Sequence, residues 1–221
     1  MKKKFLLIPA LIASTFSFAQ SKISYGFRAG VSSADMRGDA VESLNDVLDF
    51  AKDYVSTGSR TGFYTGTYVS IPLGNTITVE PGLYYSQKGY KLKGELNVKG
   101  VSVLGVNAKA QLQLNYIDLP VLLKVNLGGI QLFAGPQISY LMDANLKASA
   151  GALGFNLLSY KVPVKSQFNK WDAGATAGIG YQFSNGLNLQ ASYDYGFSKV
   201  DANKQFDAYN RMMKIGIGYN F

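Results

Sequence analysis

Along most of this chain apolar and polar residues alternate one by one, the period of a β-strand whose two faces meet different surroundings. The end of the chain shows it most cleanly. Met213, Ile215, Ile217, Tyr219 and Phe221 share one face, while Asn210, Met212, Lys214, Gly216, Gly218 and Asn220 share the other. Eight segments follow this rule: 23–33, 61–73, 76–86, 114–127, 130–140, 171–183, 187–197 and 210–221. Most are about as long as the ~10 residues a tilted membrane strand needs. In each, one row is greasy and the other polar or glycine, which suits a wall between lipid and a barrel interior.

The connections sort by length. Gly74-Asn75, Gly128-Gly129 and Ser184-Asn185-Gly186 are tight hairpin turns, whereas 34–60, 88–113, 143–170 and 198–209 are long. Short and long alternate, which places all long loops at one end of an up-and-down barrel and both termini at the other. The expected fold is therefore all-β, an eight-stranded antiparallel up-and-down transmembrane β-barrel with short periplasmic turns and long extracellular loops. Pro81, Pro120 and Pro136 interrupt the alternation, and each removes a donor from a barrel that has no edge. They are read as bulges or rim positions. Spacing near helical in 39–54 (Val41, Leu44, Val47, Leu48, Ala51) allows a short amphipathic helix at the mouth as readily as an irregular loop. The second connection alternates too, so the third and fourth strands are expected to extend as a hairpin above the membrane.

At the other end of the chain, Lys2, Lys3 and Lys4 precede an apolar stretch over 5–18 and a small-x-small site, Ser17-Phe18-Ala19. This reads as a secretory signal covering 1–19, leaving 20–221 as one barrel domain. The formal charge of +8 includes those three lysines, and the remaining excess does not argue for nucleic acid. The chain has no Cys and no His. Disulfides, a lipid-anchoring cysteine, thiolate or imidazole metal sites and Ser-His-Asp catalysis are thereby excluded. Ser-Lys or paired-carboxylate catalysis has no local constellation to support it, so no enzyme, cofactor or metal is expected. Gly174, Gly178 and Gly180 lie within one alternating strand rather than at a strand-to-helix turn. They read as room for large inward neighbours such as Tyr64, Tyr68, Tyr84 or Tyr116, not as a phosphate loop.

Several segments, in order and spacing, resemble the PorT-like outer-membrane β-barrel family common in Bacteroidetes: VEPGLYYSQKGYK (79–91), YIDLPVLLKVNL (116–127), LFAGPQISYLM (132–142), DAGATAGIGYQF (172–183) and LQASYDYGFSKV (189–200). The resemblance implies an eight-stranded outer-membrane barrel and little about activity. It includes one secretion accessory, whose role nothing marks in this chain.

Seven charged residues fall on the expected inward faces: Arg28, Glu80, Asp118, Lys124, Asp172, Asp194 and Lys214. An eight-stranded barrel is just wide enough to be filled by its own side chains, so three cations and four anions should pair into a plug. A narrow channel or small-ligand carrier is the alternative, and a soluble lipocalin-like barrel a third. Aromatics near strand ends (among them Tyr25, Phe63, Tyr85, Tyr140 and Trp171) are expected to form interfacial girdles. Ile217, Tyr219 and Phe221, a terminal aromatic strand, read as the signal to the barrel-assembly machinery, recognised by strand addition.

The connections differ in charge. The first is acidic (Asp35, Asp39, Glu42, Asp46, Asp49, Asp53), the second basic (Lys88, Lys91, Lys93, Lys99, Lys109), and the third carries Lys147, Lys161, Lys165 and Lys170. The partners that follow are outer-membrane lipid and lipopolysaccharide, the assembly machinery, and an envelope protein at the loops or rim. A merely solvated surface is the plainer reading of the same residues.

Overall fold

The computed structural model describes residues 22–39, 41–43, 55–96, 106–152, 155–203, 205 and 207–221. The signal expected over 1–19 and most of the helix expected over 39–54 lie outside them; 39 and 41–43 are helical.

Among the described residues there are nine strands: β1 (Ser24–Arg37), β2 (Val55–Pro72), β3 (Ile77–Leu96), β4 (Val106–Leu127), β5 (Ile130–Ala152), β6 (Phe155–Pro163), β7 (Trp171–Gln182), β8 (Leu187–Gly196) and β9 (Tyr209–Asn220). Eight of them close a ring. The order β4-β3-β2-β1-β9-β8-β7-β5 is joined end to end by pairing of β4 with β5, and every pairing is antiparallel. The chain closes on itself through β1 and β9, from Gly26 opposite Asn220 to Arg37 opposite Tyr209. Of the tight turns, Gly128-Gly129 needs its glycines most, because φ is +59° and +99° there, where a Cβ would be strained.

The alternation governs the faces. Val31, Phe63, Leu83, Leu123, Leu132, Ile179, Ile215 and Ile217 stand exposed outside, while their neighbours Tyr64, Tyr84, Lys124, Phe133 and Lys214 are buried inside. From Ile130 to Tyr140 the outward row runs for roughly 33 Å of chain at ~3.3 Å per residue. At the usual ~40° tilt this is about 25 Å of height, the thickness of an apolar band. Aromatic pairs mark its edges. Tyr140 meets Trp171 edge-on at 4.9 Å and Phe63 lies 5.6 Å from Tyr85 at the loop end. Tyr181–Phe183 (4.8 Å) and Tyr219–Phe221 (5.3 Å) lie at the turn end.

Three expectations need correction. Strands β3 and β4 extend as a hairpin past the membrane band as expected, but the third connection, read as a loop, is folded as the upper part of β5 hairpinned to β6. The described residues thus hold nine strands, eight in the ring and one added above it. The prolines are not at bulges. Register shifts fall at Ser59/Tyr64, Asn115/Tyr116 and Ala150/Gly151. Across Pro81, Pro120 and Pro136 the register is unchanged, with Pro81 opposite Val121 and Pro120 opposite Gln137. Sitting on three adjacent strands, they group their missing donors into one seam. Gly178 accommodates Phe133, whose ring a Cβ would meet at 2.6 Å; the tyrosines rest on other glycines, Tyr68 on Gly26, Tyr64 on Gly30 and Gly216, and Tyr84 on Gly66.

Candidate functional site

The inward row of β3 continues through Glu80, Tyr84 and Ser86 to Lys88, and with those of β1, β4, β7, β8 and β9 it fills the ring with charge. All seven residues read as luminal from the sequence, Arg28, Glu80, Asp118, Lys124, Asp172, Asp194 and Lys214, are buried there. They form three groups.

Nearest the turns, Glu80 bridges two cations. Its Oε1 lies 3.0 Å from Arg28 Nη1 and its Oε2 lies 2.6 Å from Lys124 Nζ. Arg28 also donates to the Tyr84 hydroxyl at 2.7 Å and to Asn188 Oδ1, and its guanidinium lies 4.0 Å from the centre of the Tyr68 ring. Asn188 in turn donates to the Tyr68 hydroxyl at 2.8 Å, and that hydroxyl donates to Asn220 on the closing strand. One carboxylate between two cations, with the spare guanidinium N–H groups used, is the arrangement that offsets the cost of burying charge.

Towards the loops, Lys88 Nζ sits 3.2 Å from Asp118 and 3.9 Å from Asp172, donates to Ser139 Oγ at 3.1 Å, and lies 4.6 Å from the centre of the Tyr116 ring. Ser86 donates to Asp118, and Asn210 donates to Asp172 at 2.8 Å. On the third side Lys214 Nζ lies 2.8 Å from Asp194, whose other oxygen accepts from Thr176.

Lys88, expected in a basic loop, lies instead inside the barrel. It is 3% exposed and belongs to the plug. Adding it brings the cations of these groups to Arg28, Lys88, Lys124 and Lys214, against Glu80, Asp118, Asp172 and Asp194. The even-numbered parity of Glu80, Tyr84 and Ser86 points to Lys88, but the expected strand stopped at 86. Arg60 was missed for the same reason: it shares the parity of Tyr64 and Tyr68, is buried, and donates to the Lys88 carbonyl at 2.5 Å. Arg211, by parity an outward residue, is laid flat over the Tyr195 ring at 3.4 Å and donates to the Gly196 carbonyl at 2.7 Å.

A void of about 10 Å³ lies between Lys88, Asp172, Asp194 and Asn210, room for about one water. Among the described residues no cluster of acidic groups could hold a metal ion. Ile217, Tyr219 and Phe221 all stand exposed on the outer face, and the Phe221 amide donates to the Tyr25 carbonyl at 2.8 Å, tying the chain end to β1.

A closed antiparallel ring with hydrocarbon side chains outside and a paired polar interior defines a class, the transmembrane barrels of outer membranes. The chain belongs to the family described as outer membrane protein beta-barrel domain, which matches residues 18–202. None of the curated proteins matches it in sequence. Similar solved structures include neisserial surface protein A (16% identity, 91% of this chain and 100% of that one, TM-score 0.47). Ail, the attachment invasion locus protein of Yersinia pestis, is similar at 15% identity, 91% and 100% coverage and TM-score 0.44. The outer membrane protein OprG from Pseudomonas aeruginosa follows at 14%, 90% and 95%, and 0.42.

Proposed function

We propose that this chain is a non-enzymatic outer-membrane protein with a closed lumen, its termini and short turns on the periplasmic side. Its work is done by the basic outer surface of the tall β3–β6 wall, which grips the anionic saccharide layer of lipopolysaccharide and so reinforces the envelope. The observation that carries this is a row across four strands that places lysines on three of them. Lys91 is opposite Gln111, Gln111 opposite Lys147, and Lys147 opposite Lys161. Lys109, opposite Ser149, stands in the next row. Lys147 and Lys161, directly opposite on neighbouring strands, repel, so the row favours an anion that bridges it. Lys91 is roughly 20 Å of strand beyond Tyr85, at ~3.3 Å per residue, above the hydrocarbon and level with sugars rather than lipid tails.

Extraction of the protein from its native outer membrane in mild detergent tests this, with lipopolysaccharide phosphate assayed in the purified fraction. A variant with Lys91, Lys109, Lys147 and Lys161 all changed to Gln is expected to lose most of the bound phosphate. Equal phosphate in both proteins would overturn the reading. The long connections fit an outward placement, since exposed loops tolerate length and variation. The ordered segments quoted above also support a PorT-like affiliation within the family, as a free-standing envelope component or an accessory to an envelope partner.

The plug favours a barrel that does not conduct. A narrow channel would need the Glu80 and Lys88 clusters to part, and steady openings in planar bilayers would favour that second reading instead.

A further inference from the structure

Above Lys88 the wall turns inside out. In the membrane band the inward residues are polar and the outward ones apolar. In the upper parts of β3, β4 and β5 the inward residues are Leu92, Ala110, Leu112 and Leu146, and the outward ones are Lys91, Lys109, Gln111 and Lys147. This stretch has the amphipathicity of a soluble barrel. It stands in water, and its inner face is a cup of about 320 Å³.

We propose that this cup is a binding site for an uncharged, apolar small molecule of about two rings. Its walls are nearly all hydrocarbon: Leu92 and Leu112 on one side, Met36 and Phe168 on the other. Gln167 and the Tyr90 hydroxyl are the polar side-chain groups among its lining residues, and no charged residue lines it. The lysines nearby lie on the opposite face of the sheet, so an anionic head would find no partner inside. The volume sets the size. A cavity of ~150 Å³ holds benzene, and this one is about twice as large. The floor is sealed by the buried cluster of Leu114, Tyr116, Leu141 and Ala144, directly above the Lys88 ion pairs. A molecule that enters therefore stops there and does not cross the membrane.

Among the described residues the strands opposite the tall wall are shorter, β8 ending at Gly196 and β1 at Arg37 while β3 and β5 continue to Leu96 and Ala152. Because the floor is closed, entry is from the aqueous side. Acyl chains of the bilayer are the less fitting occupant, since the polar outer face of the wall keeps hydrocarbon below this level. A concave site of this volume, apolar with few convergent polar groups, has the character of a ligand pocket.

The test uses the full protein in phospholipid nanodiscs, where detergent cannot compete. Trp171 is the chain's single tryptophan and stands exposed beside Tyr140 at the loop edge of the apolar band. Energy transfer from it to N-phenyl-1-naphthylamine, read as the saturable part above the linear background of probe dissolved in lipid, reports probe held in the cup. The expected result is saturable transfer with a micromolar midpoint, displaced by naphthalene but not by a carboxylate of equal size. Ala110→Phe, which fills the cup, and Leu112→Gln, which wets it, should each weaken binding at least tenfold. Leu83→Ala on the lipid face should leave it unchanged. Heat-dependent gel mobility shows that each variant is folded. Transfer that rises linearly with probe, an unchanged midpoint in both folded cup variants, no transfer at all, or equal displacement by the carboxylate would each overturn the proposal. The competition on the unmodified protein decides even where a variant fails to fold.

Discussion

The Lys88 ammonium lies 3.2 Å from the Asp118 carboxylate, with both side chains closed off from solvent inside the barrel. The same ammonium faces Asp172, so removing it leaves two buried carboxylates without their cation. Breaking a buried pair typically costs ~3–5 kcal/mol. Lys88→Met should lower the stability to denaturant in lipid vesicles by about that much. Adding Asp118→Asn to it should recover part of the loss, because one uncompensated charge goes with it.

Glu80 offers the reverse experiment. It is the anion shared by Arg28 and Lys124, so Glu80→Gln strands two cations and should destabilise by a similar ~3–5 kcal/mol. Lys124→Met combined with Glu80→Gln should cost clearly less than the sum of the two single changes, since Arg28 keeps Tyr84 and Asn188 as partners. A double-mutant cycle measures the coupling directly; strictly additive losses would contradict the bridged arrangement.

Gly30 and Gly58 separate two kinds of glycine. A Cβ at Gly30 would sit 2.1 Å from the Ile215 carbonyl oxygen on the neighbouring strand, while at Gly58 nothing lies within 4 Å. Gly30→Ala should therefore cost ~1–3 kcal/mol through overpacking. Gly58→Ala should stay within about 0.5 kcal/mol, the usual range for surface changes. Unfolding midpoints of the two variants, compared side by side, test the packing of Tyr64 on this strand pair.

Phe221 exposes its ring to the membrane side and contributes a backbone bond to Tyr25. Phe221→Ser keeps that bond. Refolding of the purified variant into detergent should match the parent protein, while the amount of assembled barrel in cells should fall several-fold. A parallel drop in both measurements would assign the ring to stability rather than to recognition by the assembly machinery.

In the β8–β9 connection Lys199 Nζ lies 2.5 Å from Asp207. The hydrogen bond from Lys199 holds the Asp207 carboxyl below its usual range. A depressed carboxyl pKa means that any stabilisation of the loop is present above the ordinary Asp value of ~3.9 and is lost as the pH falls through the lower folded value. Lys199→Gln should raise the Asp207 titration midpoint observed by NMR.

How far the sequence carried the fold depended on what each strand touches. Inside the band, lipid and lumen differ so strongly that parity alone placed Arg28, Glu80, Asp118, Lys124, Asp172, Asp194 and Lys214 in the interior. Above it, the same alternation continues with its meaning inverted, so Leu92 and Leu112 were not legible as inward residues, nor Lys91 as an outward one. Lys88 sits at the changeover and was lost to an end set by membrane thickness. On β5 the shift at Asn115/Tyr116 changes the phase, leaving Met142 exposed and Ala144 buried, and no local signal announces it. β6 is apolar enough, but the adjacent Leu157 and Leu158 break its alternation, where the register to β5 also shifts, so no period-2 pattern marks it as a strand.

The inversion also pins the protein's depth. Sliding it downward would carry Lys91, Lys109 and Lys147 into hydrocarbon, at ~2–4 kcal/mol for each lysine that reached the midplane. Sliding it upward would lift Tyr181, Phe183 and Tyr219 out of the opposite interface. A bilayer of different thickness must therefore deform around this barrel, because the barrel has no neighbouring position in which to rest.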